Sequence, residues 1–452
     1  MSVNLENGPV TLKRQIGLFA CFFYGMGILL PIAPVPVYGV AVGVSGGHAA
    51  LAYLVAMAAM FFSAWTFGQM GGEFPLAGSS YTFVAKGMSS HLGFLAGWCI
   101  LIDYLLMPAL NYIVLGLFLN ALFPAIPVIY IIWVAIVVVC IVNLLGIKSL
   151  ANVNSILTIF GFLVAFYFIY SAFMAMGRGV GTGFSSVALY NPETFSWGGL
   201  MTGASIAAFS YIGFDVMTTL AEETIQPKKT LPRATMLVCL VAGLIFTVIA
   251  FAGQAVHPSL EFESVGVEFL DAAFAAGGAT VKNAISIAMV AGAMAYSMDM
   301  LAAVSRLLFG MGRDGVLPKK IFGYIHPKTY VPVWNTIIVS FFCFFLTQIT
   351  IDKLIPLINF GGLFAYICVN AAMFWHFFVR QGKRQGWDIF KFGIMPIIGF
   401  IGVFAIWLSL DVHAKTIGFI WLAIGLVYVM ILTKGFKRPM VALGGAEVEK
   451  EE

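Results

Sequence analysis

The chain has 452 residues, 61% hydrophobic and 10% charged, with a mean hydropathy of +0.98 and a formal net charge of +4. A soluble domain carries about 25% charged residues, so the composition excludes one and calls for a protein that faces lipid. The small positive balance does not indicate a nucleic-acid partner, because basic residues in membrane proteins mark the loops of one side.

The first fifteen residues are polar and lack a small-residue cleavage site, so no cleavable signal peptide is expected. A spanning helix needs about 20 apolar residues. Twelve such stretches follow, at 16–44, 49–70, 92–122, 127–147, 151–176, 198–221, 235–256, 283–309, 332–350, 354–379, 393–411 and 415–433. With both termini placed inside, 20 of the 24 Lys and Arg fall in inside segments, and only Arg178, Lys282, Lys353 and Lys415 fall outside. That split is the positive-inside pattern, and one span more or fewer would scramble it. The expected fold is therefore an all-α integral membrane protein with twelve transmembrane helices.

The first span holds "FYGMGILLPIAPVPVYGV", with Pro31, Pro34 and Pro36 inside six residues. A proline inside a helix removes a hydrogen bond and clashes with the preceding turn, at about 3 kcal/mol. Broken helices persist in a membrane only where they are buried in protein or line a cavity. A discontinuous helix offers N–H groups to a carboxylate and carbonyls to an ammonium, so this segment is a candidate binding site. The sixth span, "GGLMTGASIAAFSYIGFDVMTTLAEET", lacks an internal proline, but Gly199, Gly203 and Gly213 loosen it. Spans one and six would be counterparts in a five-plus-five inverted repeat.

Between spans seven and eight lie Glu261, Glu263, Glu268 and Asp271, read as a solvated outer loop. The basic "GRDGVLPKK" after span eight follows from topology rather than from an anionic ligand. The six cysteines fall in apolar runs without a C-x-x-C pair, so buried free thiols are expected and neither a metal site nor a cofactor. No P-loop, H-E-x-x-H or G-x-S-x-G occurs, which argues against ATP drive and against an enzyme.

The segments from "FYGMG" through "GEFPLAGSSYTFVAKGMSSHLGFLAGWCILIDYLLMP", then "FSYIGFDVMTTLAEETIQPKKTLPRA" and "RLLFGMGRDGVLPKKIFGYIHPK", resemble the amino acid–polyamine–organocation superfamily, and within it the putrescine importers. The resemblance implies the leucine-transporter fold, with alternating access around a site between spans one, three, six, eight and ten. It implies a transport core at 16–379, made of repeats 16–176 and 198–379. Spans eleven and twelve at 393–433 are additions, flanked by cytoplasmic segments 1–15 and 434–452. It also implies that span one unwinds from Gly25-Met26-Gly27, that span six unwinds around Ser210, Tyr211 and Gly213, and that "GEFPLAGSSYTF" belongs to the cytoplasmic gate. One departure stands out. Where the putrescine importers carry an aspartate in span one, this chain has Pro36.

Acids at membrane depth cost at least about 2.5 kcal/mol each on insertion scales, and call for a function. Asp103, Asp215 and Asp299 are such acids. Each could pair with an ammonium, carry a coupling proton, or brace neighbouring helices through hydrogen bonds. Tyr104, Tyr211, Tyr296 and Trp98 could hold an ammonium by cation–π contact. The candidates for substrate contact are therefore Tyr24, Gly25, Met26, Gly27, Asp103, Tyr104, Ser210, Tyr211, Gly213, Asp215, Tyr296 and Asp299. Those for coupling are Asp215, Glu222 and Asp299. Sodium coupling is disfavoured, since Ser286, Ser297 and Ser305 of span eight form no neighbouring hydroxyl pair.

The expected activity is secondary import of a small organic amine, putrescine or a polyamine first, with protons as the coupling ion. An amino acid permease or exchanger is the alternative, because a zwitterion needs only one cationic end neutralised. A sensor or a channel is the alternative of another class. The expected site of action is the bacterial inner membrane, with lipid around the chain.

Overall fold

The computed structural model describes residues 14–437, apart from 76–78, 147–150, 261–265, 314–316, 328 and 330; for 151–155 and 222 it describes the backbone alone. The fold is all-helical, with one isolated bridge, Ile16 to Thr224, among the described residues. Among the described residues, nine helices are long and apolar enough to cross a membrane. Shorter apolar helices at Leu18–Leu29, Val35–Ser45, Val128–Leu144 and Val333–Leu346 supply the first, fourth and ninth spans. Twelve spans result, the first in two pieces. Single prolines do not interrupt spans three, seven and ten, which run through Pro108, Pro232 and Pro356 as Ser90–Leu122, Pro227–Val256 and Ile351–Met373.

Small residues decide which spans close up. Span two (Ala49–Glu73) packs along span seven, and Gly72 brings its backbone so near that a Cβ there would lie 2.7 Å from the Cα of Lys228. Such glycine-mediated approach is how membrane helices associate without a hydrophobic driving force. Span three instead packs against spans eight and ten. Spans one, two, six and seven thus form one packed group, and spans three, five, eight and ten another, with the two breaks between them.

Of the additional spans, the eleventh packs against both span two and span ten, and the twelfth is fastened to the second group. Trp98 of span three and Trp421 of span twelve (Val412–Leu432) stack at 4.7 Å, and each indole N–H donates to the other's carbonyl at 2.9 Å. Ahead of the first helix, the Gln15 and Ile16 N–H groups both donate to the Glu223 carbonyl, and the Ile225 N–H donates to the Ile16 carbonyl. The start of span one is thereby tied to the end of span six.

Two expectations are corrected here. Glu268 is not solvated: it is 4% exposed, accepts the Gly266 N–H at 2.7 Å, and lies against Gly39 in the outer half of span one. Burial pushes its carboxyl above the ordinary glutamate range, and the hydrogen bond from Gly266 offsets only part of this. Glu261 and Glu263 fall outside the described residues, whereas Asp271 is exposed. Of the cysteines, Cys140 and Cys368 are half-buried rather than buried, and all six are free thiols.

Candidate functional site between the two broken spans

Span one is helical from Leu18 to Leu29 and stops at Leu30, whose φ of 52° lies in the left-handed region. A non-glycine residue held there costs on the order of 1–3 kcal/mol. Tight turns then close Leu30 to Ala33 and Ile32 to Val35, and a 3₁₀ turn at Val35–Val37 leads into helix Tyr38–Ser45. The break therefore falls on the prolines. Gly25, Met26 and Gly27 lie inside the first helix, contrary to expectation, and their N–H groups are not freed. A glycine costs a helix only about 1 kcal/mol, and here packing outweighs it: Gly25 sits against Met217 and Val238, and Gly27 against Thr158.

Span six breaks where expected. Helix Trp197–Ala207 tightens to 3₁₀ over Ala208–Tyr211, Ile212 is extended, and Gly213 at φ 117° turns the chain into a 3₁₀ segment, Phe214–Glu222. Only glycine adopts that φ readily, and a Cβ at Gly213 would meet Ile28 of span one at 2.9 Å. The two breaks touch.

A cavity of about 70 Å³ lies between them, lined by five spans. Ile28, Leu30 and Pro36 come from span one, Met107, Asn111 and Val114 from span three, and Phe209, Ser210 and Ile212 from span six. Met289, Ala293 and Tyr296 come from span eight, and Ile351 and Ile355 from span ten. Its polar side chains are Asn111, Ser210 and Tyr296; none of its lining residues is charged. Ligand pockets start near about 300 Å³, so a bound substrate requires the two packed groups to separate.

Asp103 lies four residues before Met107 and eight before Asn111, on the helix face that lines the cavity and one turn nearer the start of span three. It is 6% exposed, and its Oδ1 has no hydrogen-bond partner. Asp215, Tyr104, Tyr296 and Tyr366 are close enough to interact electrostatically with it. Asp215 is already engaged. Ser79 donates to its Oδ2 at 2.9 Å and Tyr366 to its Oδ1 at 2.8 Å, while the same Tyr366 hydroxyl accepts the Gly213 N–H at 3.3 Å.

The remaining candidates scatter. Tyr211 turns away and donates to the Tyr53 carbonyl at 3.1 Å, and the Tyr53 hydroxyl bonds Ser210 at 3.0 Å. Trp98 is committed to Trp421. Tyr24 is 43% exposed and feels the charge of half-buried Asp299, one turn beyond Tyr296. The side chain of Glu222 lies outside the described residues. Residues 76–78 of "GEFPLAGSSYTF" do also; Ser79 to Gly87 of that region form a short helix packed on span three.

Sequence reading missed Asn111, Tyr366 and Ser79. Asn111 had a signal, being a polar residue at helical spacing from Asp103. Tyr366 had none, since a tyrosine in an apolar run is ordinary.

Comparison with known proteins agrees with this architecture. The amino acid permease family matches residues 16–433. The low-affinity putrescine importer PlaP of Escherichia coli K12 is 31% identical over 447 residues, covering 97% of this chain and 98% of its own. The branched-chain amino acid permease BcaP of Bacillus subtilis is 27% identical, covering 95% of each. The methylthioribose transporter of the same bacterium is 22% identical, covering 96% of each. These are transporters, not enzymes. The chain is therefore a multi-pass membrane protein of the amino acid permease family, in the amino acid–polyamine–organocation superfamily and close to its putrescine importers.

Proposed function

We propose that this permease imports a small organic amine across the bacterial inner membrane by alternating access, with both termini in the cytoplasm and residues 16–379 as the transport core. One observation carries the reading: a buried carboxylate, Asp103, has an oxygen without a partner, directly below an apolar cavity between two broken helices. An ammonium supplies what that oxygen lacks, since a buried charge is sustained only when paired. The hydrocarbon part of the substrate packs among Met107, Val114, Ile212 and Ile355. Tyr296 offers its ring face to the cation. Asp215 acts as a brace between spans six and ten rather than as a ligand, and Asp299 with Tyr24 lines the route to the cytoplasm.

Putrescine is the first substrate to test, supported by the likeness to PlaP. The second reading, an amino acid with an aliphatic side chain, is favoured by a cavity lining that supplies no acid for the far end of a dication. Purified protein in proteoliposomes, offered labelled putrescine against a panel of amines and amino acids, separates the two. Putrescine uptake blocked by spermidine but not by leucine supports the first. Leucine uptake that putrescine leaves untouched supports the second. Uptake of no compound in the panel refutes both.

A further inference from the structure

The helix that carries Asp103 also supplies a contact for the far end of the substrate, a role that rests on the amine-transport reading above. Span three presents Asp103, Met107 and Asn111 at four-residue intervals, so one stripe of it carries a carboxyl, an apolar thioether and a carboxamide. At about 1.5 Å of rise per residue, the outer two lie about 12 Å apart along the axis. Met107 and Asn111 both line the cavity. Asn111 is half-buried, and its Nδ2 donates to the Met107 carbonyl at 2.9 Å. That bond fixes the sense of the amide, because only its nitrogen can donate to a carbonyl. The Oδ1 is left as an acceptor, and no donor bonds it among the described residues. The other polar side chains of the lining are less suited to the far end. Ser210 is engaged by the Tyr53 hydroxyl at 3.0 Å, and Tyr296 belongs to the near end, where it feels the charge of Asp103.

We propose that Asn111 determines specificity at the far end of the substrate, its Oδ1 accepting a hydrogen bond from a second ammonium. The order acid, apolar, amide along span three mirrors the order ammonium, methylenes, ammonium in a terminal diamine. Four carbons between two ammonium nitrogens, with a hydrogen bond of about 2.8 Å at either tip, cover about 12 Å when extended. A neutral acceptor suffices there, since a hydrogen bond with one charged partner is already among the strong ones. It also avoids the desolvation cost of a second buried carboxylate. An aliphatic amino acid makes poorer use of the same stripe. Both its charges flank one carbon, so only its hydrocarbon side chain would reach Asn111, leaving the amide oxygen covered and unpaired.

The test measures binding to the full chain in detergent, with putrescine, n-pentylamine and leucine as probes. Pentylamine has the length of putrescine, with a methyl group in place of the far ammonium. Wild type should prefer putrescine over pentylamine by roughly tenfold or more. Asn111→Leu, similar in size but without an acceptor, should remove about tenfold of that preference, and Asn111→Asp should enlarge it. A preference that Asn111→Leu leaves unchanged, including a parallel loss of both affinities as a merely structural amide would give, overturns the proposal and leaves amine binding standing. Should Asn111→Leu fail to fold, Asn111→Asp decides alone, and no gain for putrescine over pentylamine overturns the role. Wild type that binds leucine and neither amine overturns the amine reading and the Asn111 role together. Wild type that binds none of the three overturns the transport reading as well.

Discussion

Spans one and six are both interrupted where they border the cavity, yet by opposite means. Span one is broken covalently: Pro31, Pro34 and Pro36 cannot donate, and the chain turns at Leu30 with φ 52° and little help from side chains. Span six is broken by its surroundings. Its residues could continue a helix, but Asn359 takes the Ser205 carbonyl at 2.6 Å, Tyr366 takes the Gly213 N–H, and Ser79 and Tyr366 hold Asp215 beyond it. A break written in prolines survives any rearrangement of its neighbours. A break held by hydrogen bonds from span ten can tighten or loosen when span ten moves. The difference makes span six the adjustable half of the site and span one the fixed half.

Four substitutions test that contrast, starting with the largest effect. Gly213→Val forces a β-branched residue into the left-handed region and into Ile28. At about 1–3 kcal/mol of backbone strain alone, uptake should fall by roughly tenfold to a hundredfold, as measured in proteoliposomes. An unimpaired Gly213→Val protein would show that span six does not need its turn. Tyr366→Phe leaves an Asp215 oxygen and the Gly213 N–H without a buried partner, a cost of about 1–3 kcal/mol. A clear drop in thermal unfolding temperature in detergent is expected, together with weaker uptake.

Pro36→Ala should do less, because Pro31 and Pro34 still interrupt span one; uptake is expected to stay within about threefold of wild type. A collapse of uptake in that variant would mean that each proline, and not the cluster, sets the break. The smallest effect belongs to Glu268, which lies in the connection just before span eight and covers Gly39 of span one. Burial raises its pKa in the fold, so its contribution to stability is full below the unfolded value, near about 4.3, and is lost as pH rises through the folded value. Unfolding curves across that window should slope downward with pH in wild type and lie flatter in Glu268→Gln. Parallel slopes would remove Glu268 from the account.

The legibility of the molecule followed the same divide. Features fixed by covalent chemistry or by long apolar runs were readable: twelve spans, a broken first helix, three intramembrane acids. Gly213 was readable too, as a glycine beside an intramembrane acid. What could not be read was the outcome of packing between distant segments. Gly25 and Gly27 look like breakers until Met217 and Thr158 are seen to fill the space beside them. Asp103 and Asp215 look equivalent in sequence, and only the positions of Ser79 and Tyr366, 136 and 151 residues from Asp215, separate a satisfied carboxylate from an unsatisfied one. Glu268 was misplaced for the same reason, since its cover comes from span one.

The reciprocal tryptophan pair has a practical meaning for any study of motion. Two indole donors and one stacked face join span twelve to span three, so a displacement of either carries the other. The last span is a built-in landmark: spectroscopic labels placed along it stay in register with span three, and distances from them to spans one, two, six and seven report the relative travel of the two packed groups.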